Sequence, residues 1–306
     1  MSRLGDIIST TGIIVGTGLA TYGGIELGEK LGNYLPQRYM LPQIAQGFTA
    51  FFTGTVGNQI LRSITRKRSI SESEAYSIAA LNAFANATNE SRNLTPKTSL
   101  EQISNNLVEV IVNTDNRKIS GSGLMITTDG YVITAHHVIK EMIENHGTAK
   151  VRTRRGVVYP VPGESIWYNK NTDIAVIKAR RPCAHSEPIK VKVDRDSKLK
   201  TGEEVRVFGF LNGQEYNTLG VVTNPSYEWT QEGGNVVYDL FQTDVRTKEG
   251  QSGGIVANGN GELIGIVVYS LKHSGEEIGV LGGAKISNAL AYINQIAAKK
   301  SAKMFV

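Results

Sequence analysis

At 306 residues with 40% apolar side chains, the chain has room for one large or two modest domains with a real core, which excludes a disordered tail. A net charge of +5 and a pI near 9.1 would suit an acidic partner, but outside Arg62–Arg68 the basic residues are interleaved with acidic ones. That pattern favours an ordinary soluble surface, and no specific nucleic-acid partner is expected. The single cysteine, Cys183, excludes an internal disulfide and a cysteine-rich zinc site; it reads as a small buried hydrophobe, and neither metal nor cofactor is expected.

Residues 1–61 differ from the rest. Ile7–Ile25 and Leu41–Leu61 carry no charge, and stretches of about 20 residues are long enough to cross a bilayer as helices. Gly12, Gly16, Ala20, Gly24, Gly28 and Gly32 recur at every fourth position, which puts a stripe of small residues along one helix face. Glycine in a water-exposed helix costs about 1 kcal/mol against alanine, so the stripe needs a packing reason, as in small-xxx-small helix contacts. Residues 1–61 therefore read as a Gly-rich helical hairpin, either membrane-associated through residues 7–61 or packed in an assembly. If it inserts, Arg62, Arg66, Lys67 and Arg68 favour the cytoplasmic side for the remainder of the chain. No cleavable signal peptide is recognisable.

Ser71-Glu72-Ser73-Glu74 is a capping box opening an Ala-rich helix to about Asn89. Residues 88–99 read as a linker, so residues 62–98 are taken as basic cluster, helix and linker, and 99–306 as the second domain. From Leu107 the pattern changes to short apolar or alternating runs broken by Gly, Asn and Asp. Strands are expected at Leu107–Val112, Gly123–Thr127, Tyr131–Thr134, Val157–Val161, Ile174–Ala179, Glu204–Phe210, Gly220–Thr223, Val236–Asp239, Gly254–Ala257, Leu263–Ser270 and Val280–Ala284. Such closely spaced strands indicate a β-barrel or sandwich. A closing amphipathic helix is expected over Ser287–Ala298.

Three places in this second half carry chemistry. Gly121–Val138 holds two apolar strands joined by Asp129-Gly130, with His136 and His137 at the end. Asn171-Thr172-Asp173 puts an acid just before the apolar run Ile174–Ile177. Gly250-Gln251-Ser252-Gly253-Gly254 sets a serine between glycines, where a sharp turn exposes the hydroxyl and lets neighbouring N–H groups converge.

The order His, Asp, Ser in these surroundings resembles the trypsin-like serine proteases, most closely the HtrA/Deg branch. The matching stretches are Gly121-Ser122-Gly123, Thr134-Ala135-His136-His137-Val138, Thr172-Asp173-Ile174-Ala175-Val176-Ile177-Lys178, and Gln242-Thr243-Asp244 ahead of Gly250–Gly254. Leu199–Val205 and Gly220-Val221-Val222 match as well, and the similarity runs from about Leu100 to Asn294. The resemblance implies two six-stranded antiparallel β-barrels, with Ser252 as nucleophile, His137 as general base and Asp173 as its orienter. The N–H groups of Gly250 and Ser252 would form the oxyanion hole. His136 is then structural, Asp129 a turn residue and Asp244 a capping carboxylate.

Gln251 stands where this branch has Asn or Asp, and Ile255 where Pro follows the glycines. Arg246, six residues before Ser252, and Lys285 fall where the resemblance implies a specificity pocket; two cations there would favour an acidic or polar P1 side chain. Only Lys299–Val306 follow the closing helix, so no PDZ domain is expected within this sequence. The expected activity is serine endopeptidase on protein or peptide substrates, with homo-oligomer formation implied only by analogy. The alternative is a protease fold, catalytically unused, acting as a structural or interaction module in a larger complex.

Overall fold

The computed structural model describes residues 71–86, 93–183, 186–194, 198–230, 236–246, 248–273 and 276–303. The Gly-rich hairpin and the basic cluster lie outside the described residues. Among the described residues no helix is long and apolar enough to cross a membrane.

The chain is mainly β. Helices α1 (Glu72–Asn86) and α2 (Pro96–Asn106) lead into β1 (Leu107–Asn113), β2 (Lys118–Met125) and β3 (Tyr131–Ala135). Helix α3 (His136–Glu144) follows, then β4 (Thr148–Thr153), β5 (Val158–Val161), β6 (Ile166–Asn169) and β7 (Ile174–Lys178). These seven strands form one sheet in the order β5-β4-β1-β2-β3-β7-β6. Its curl brings β5 back towards the chain leaving β7, where Arg180 N–H donates to Pro160 O at 2.8 Å.

The second sheet contains β8 (Lys192–Val193), β9 (Glu204–Leu211), β10 (Gln214–Thr230), β11 (Val236–Thr243), β12 (Ile255–Asn258), β13 (Glu262–His273) and β14 (Glu276–Lys285). Here β12 pairs with β9 on one side, Ile255 opposite Phe208, and with β13 on the other, Ile255 opposite Ile266. Six strands thus close on themselves as a barrel, and β8 is appended in parallel to β13. The two-barrel architecture agrees with the sequence reading. The N-terminal sheet differs in detail, because β6 adds a seventh strand and no ladder joins β5 to β6 among the described residues.

Each expected strand is present, several of them longer than their apolar runs, since ladder hydrogen bonds extend through polar residues such as Gln214–Asn217. The linker region departs more. Pro96–Asn106 is helical, with Thr95 as N-cap accepting Thr98 N–H at 3.1 Å and Pro96 in the first turn. At α1 the capping box forms, Glu74 N–H reaching Ser71 Oγ at 3.3 Å. Tyr76, Ile78, Leu81 and Phe84 bury their side chains in the same core as the first sheet. Helix α4 (Ile286–Lys303) lies against α1 and presents the buried Ala289, Ile293, Ile296 and Ala297. At about 1.5–3 kcal/mol per fully buried large apolar side chain, α1 is an integral part of this core.

A polar clasp reinforces that packing. Asp129, 6% exposed, accepts from Ser77 Oγ of α1 at 2.5 Å, from Thr127 Oγ1 at 2.5 Å and from Ser186 Oγ at 2.6 Å, and it pairs with Lys178 at the end of β7. Burial disfavours the charged carboxylate, but Lys178 and the three hydroxyls outweigh it and hold the Asp129 pKa below the usual 3.8. Cys183 corrects the sequence reading: it is exposed on the loop after β7, and its thiol contacts Thr128 Oγ1 at 3.6 Å. Small apolar character favours burial, but this loop runs over the surface of the hairpin turn instead.

Candidate active site

The base and its orienter come from the same end of one antiparallel pair. Strands β3 and β7 pair from Tyr131 opposite Lys178 to Ala135 opposite Ile174, so His136 and His137 emerge beside Asp173. Helix α3 starts there without a side-chain cap on Ala135. Asp173 supplies the missing acceptors: its backbone carbonyl takes His136 N–H at 2.9 Å, and its Oδ1 takes His137 N–H at 2.9 Å. A carboxylate at a helix N-terminus is also favoured by the helix dipole. Asp173 adopts φ +50, a left-handed conformation that Asp tolerates better than most residues, and it is 1% exposed.

With Oδ1 engaged by the backbone, Oδ2 is left to face the imidazole, 2.7 Å from His137 Nδ1. That contact requires a proton on Nδ1, which leaves Nε2 as the acceptor needed of a general base. Burial opposes a charge on His137, but the Asp173 charge and hydrogen bond more than offset it, so the pKa is raised above 6.5. His136 behaves differently. Its ring stacks on Tyr168 at 4.7 Å, and its Nδ1 lies 3.8 Å from Asp173 Oδ1, beyond hydrogen-bond range. Burial lowers its pKa, with Asp173 opposing and Lys170 and Lys140 adding to the drop.

Ser252 comes from the other sheet, on the loop between β11 and β12. Its backbone carbonyl accepts Ser122 N–H from β2 at 2.7 Å, and the next residue packs against β2 and β3. Gly253 has φ +80, and a Cβ there would collide with Ser122 O and Thr134 Oγ1. Glycine at this position is therefore what lets the serine loop close on the strand leading to His137. Gly253 N–H and Gly254 O also bond to Val267 of β13, at 2.7 and 2.8 Å. Among the described residues no hydrogen bond joins Ser252 Oγ to the imidazole, and such contacts commonly tighten only with substrate bound.

Gly250 has φ +102, and Gln251 N–H returns to Lys248 O at 3.1 Å. Positive φ at the third residue of such a turn is the type II geometry. In it, neither Gly250 N–H nor Ser252 N–H has an acceptor among the described residues, so both donors remain available to an external oxygen. Gln251, in place of the expected Asn or Asp, is buried; its Oε1 accepts Lys248 N–H at 2.7 Å while its Nε2 finds no partner among the described residues.

The remaining residues singled out by sequence fall elsewhere. Asp129 is at the far end of β3, in the clasp with Lys178, and Asp244 Oδ1 caps Val221 N–H at 2.7 Å. Lys285 is not a free cation: its Nζ lies 2.7 Å from Asp239 Oδ1 across the β11–β14 pair. Arg246 is exposed and makes no ion pair among the described residues. Two residues with a part in the site had no individual signal in the sequence. Ser122 and Thr134 occur there only as members of motifs, yet Thr134 Oγ1 donates to Ser122 O at 2.6 Å where the serine loop docks.

Two β-sheets with a His–Asp pair on the first and a serine loop from the second define the trypsin-like peptidase class. Residues 121–266 match the model of the trypsin-like peptidase domain. The chain is similar to a probable periplasmic serine endoprotease DegP-like of Hahella chejuensis, 32% identical over 178 residues, covering 58% of this chain and 35% of that protein. Protease Do-like 1, chloroplastic, of Arabidopsis thaliana is 29% identical over 163 residues, covering 53% and 35%. Among solved structures, an HtrA-type protease AlgW with tripeptide aligns with a TM-score of 0.54 and 21% identity, over 67% of this chain and 64% of that one, a likeness of fold. Residues 121–266 thus carry the signature of a trypsin-like peptidase domain, in a chain similar to serine proteases of the HtrA/Deg type. The chain spans about a third of the length of these two curated relatives.

Proposed function

We propose that the protein is a serine endopeptidase using Ser252, His137 and Asp173. The observation that carries this reading is the split use of the Asp173 carboxylate: one oxygen is held by a backbone N–H and the other by His137 Nδ1. A carboxylate serving only as a helix cap has no need of the second contact. Ser252 Oγ attacks the carbonyl carbon of the substrate while His137 Nε2 takes its proton. The oxyanion accepts from Gly250 and Ser252 N–H, each donor worth about 3–4 kcal/mol of barrier. The C–N bond then breaks, the leaving amine takes the proton from His137, and water, deprotonated by the same base, releases the acyl group from Ser252.

The substrate is a protein or peptide, a reading supported by the tripeptide named with the AlgW structure. With Lys285 paired to Asp239, Arg246 is the remaining cation for a preference towards acidic or polar P1 side chains, to be read by profiling a peptide library. Residues 1–61 tether the enzyme to a membrane or an assembly, a reading that rests on their uncharged stretches and glycine stripe. Labelling of the full chain by a fluorophosphonate, lost in Ser252→Ala, tests the activity. Absence of labelling in an assembled, membrane-bound sample would instead favour the unused-fold alternative, towards which the lack of a hydrogen bond from Ser252 Oγ to the imidazole among the described residues points.

A further inference from the structure

We propose that the Ser122 hydroxyl is a positioning residue for the oxyanion loop, setting the orientation of Gly250 from the opposite barrel; this rests on the protease reading above. Ser122 is completely buried in β2, and every polar group it has is engaged around the nucleophile. Its N–H donates to Ser252 O at 2.7 Å, and its carbonyl accepts Thr134 Oγ1 at 2.6 Å. Its Oγ lies 2.7 Å from Phe210 N on β9 and 2.8 Å from Gly250 O.

The proton inventory settles the direction of these last two bonds. Phe210 N–H can only donate, so the hydroxyl accepts it and directs its own single proton to Gly250 O. Glycine has the widest conformational freedom of any residue, and Gly250 sits at a φ of +102 that nothing in its own side chain enforces. Fixing its carbonyl fixes ψ, and with it the angle between the Gly250 and Ser252 N–H groups. A half-turn of the preceding Glu249–Gly250 peptide would put the Glu249 carbonyl where the Gly250 N–H donor has to be, and the anchored Gly250 carbonyl removes the compensating rotations on its C-terminal side. The same strand β2 pairs with β3, Leu124 opposite Ile133, and β3 delivers His137. One hydroxyl therefore registers the donors of one barrel against the base of the other.

A purely structural serine would alter stability and leave the catalytic rate per intact site alone. Ser122→Ala removes the donor to Gly250 O while keeping the Ser122 backbone bonds. In the full-length protein its kcat per titrated active site is expected to fall at least about tenfold, with KM within about twofold, because an oxyanion donor acts in the transition state. Affinity for a peptidyl trifluoromethyl ketone, which places an oxyanion in the hole, should fall by the same factor as kcat/KM. Ser122→Cys, similar in shape and weaker as a donor, should fall in between and serves if the alanine variant does not fold. Hydrogen exchange over residues 248–254 needs no turnover and is expected to be at least about tenfold faster in either variant. Wild-type kcat per titrated site, or unchanged exchange over 248–254, overturns the proposal. A wild type that never labels or turns over refutes the protease reading, and the exchange measurement then still decides the role of Ser122 in the loop.

Discussion

Asp173→Asn is the substitution whose outcome the geometry constrains most tightly. The new amide fits the same space, and Asn tolerates the φ of +50 at this position. Its orientation is dictated by the main chain, because His137 N–H still needs the acceptor it has at 2.9 Å. The amide oxygen must take that place, since turning the NH2 towards a buried N–H would leave two donors facing each other at about 1–3 kcal/mol. The NH2 then faces His137 Nδ1, 2.7 Å away in the wild type, and obliges that nitrogen to accept. The ring proton moves to Nε2, where it blocks proton removal from Ser252. A base held in the wrong tautomer loses about 10⁴ in kcat, roughly 5 kcal/mol of barrier, with the fold intact.

The pH dependence gives a second readout of the same variant. In the wild type the raised His137 pKa means that kcat/KM rises through an acid limb above 6.5. The sign for stability is opposite. A folded pKa above the unfolded one stabilises the protein fully below the unfolded value, and this increment is lost as pH rises through the folded pKa. In Asp173→Asn burial acts without the carboxylate, so the His137 pKa should drop. Steady-state kinetics between pH 5 and about 9, with circular dichroism to verify folding, measure both effects. A folded variant keeping more than a tenth of wild-type kcat, with an unshifted acid limb, would refute the reasoning.

Asp129→Asn removes the charge that partners Lys178 and should cost about 2–3 kcal/mol in urea unfolding, below the range for a fully buried pair because Lys178 is 24% exposed. The lowered Asp129 pKa places the wild-type contribution above 3.8 and its loss as pH falls through the folded value, so acid unfolding curves of the two proteins should converge at low pH. Gly253→Ala should abolish fluorophosphonate labelling and lower the melting temperature, because no room exists for a Cβ between Ser122 O and Thr134 Oγ1. His136→Phe keeps a stack on Tyr168 and should retain kcat within a few-fold, whereas a loss approaching that of Asp173→Asn would mean that His136 shares the base function.

Local pattern reached far into this fold. Alternating apolar runs marked the strands, Asp129-Gly130 marked the hairpin, and Gly130 takes up φ +105 there. Helix α2 was hidden because Thr95-Pro96 reads equally well as a linker turn or as an N-cap followed by a first-turn proline, and only the Thr98 N–H bond to Thr95 decides between them. Helix α3 was hidden for another reason: its cap is not local, since Asp173 comes from a different strand.

What the sequence determined by itself was eleven of the fourteen strands, with β4, β6 and β8 unmarked, the order His137, Asp173, Ser252, and the glycines at 250 and 253 that the loop requires. These are legible because backbone preference and short-range alternation act over a few residues. The tertiary structure alone decided which acceptor each proton meets. Lys285 faces Asp239 across a strand pair, Asp129 ties α1 to β7, and the Ser122 hydroxyl reaches Gly250 O from the opposite barrel. Such contacts depend on how two sheets dock, and hydrogen-bond geometry over a few tenths of an ångström leaves no trace in residue order.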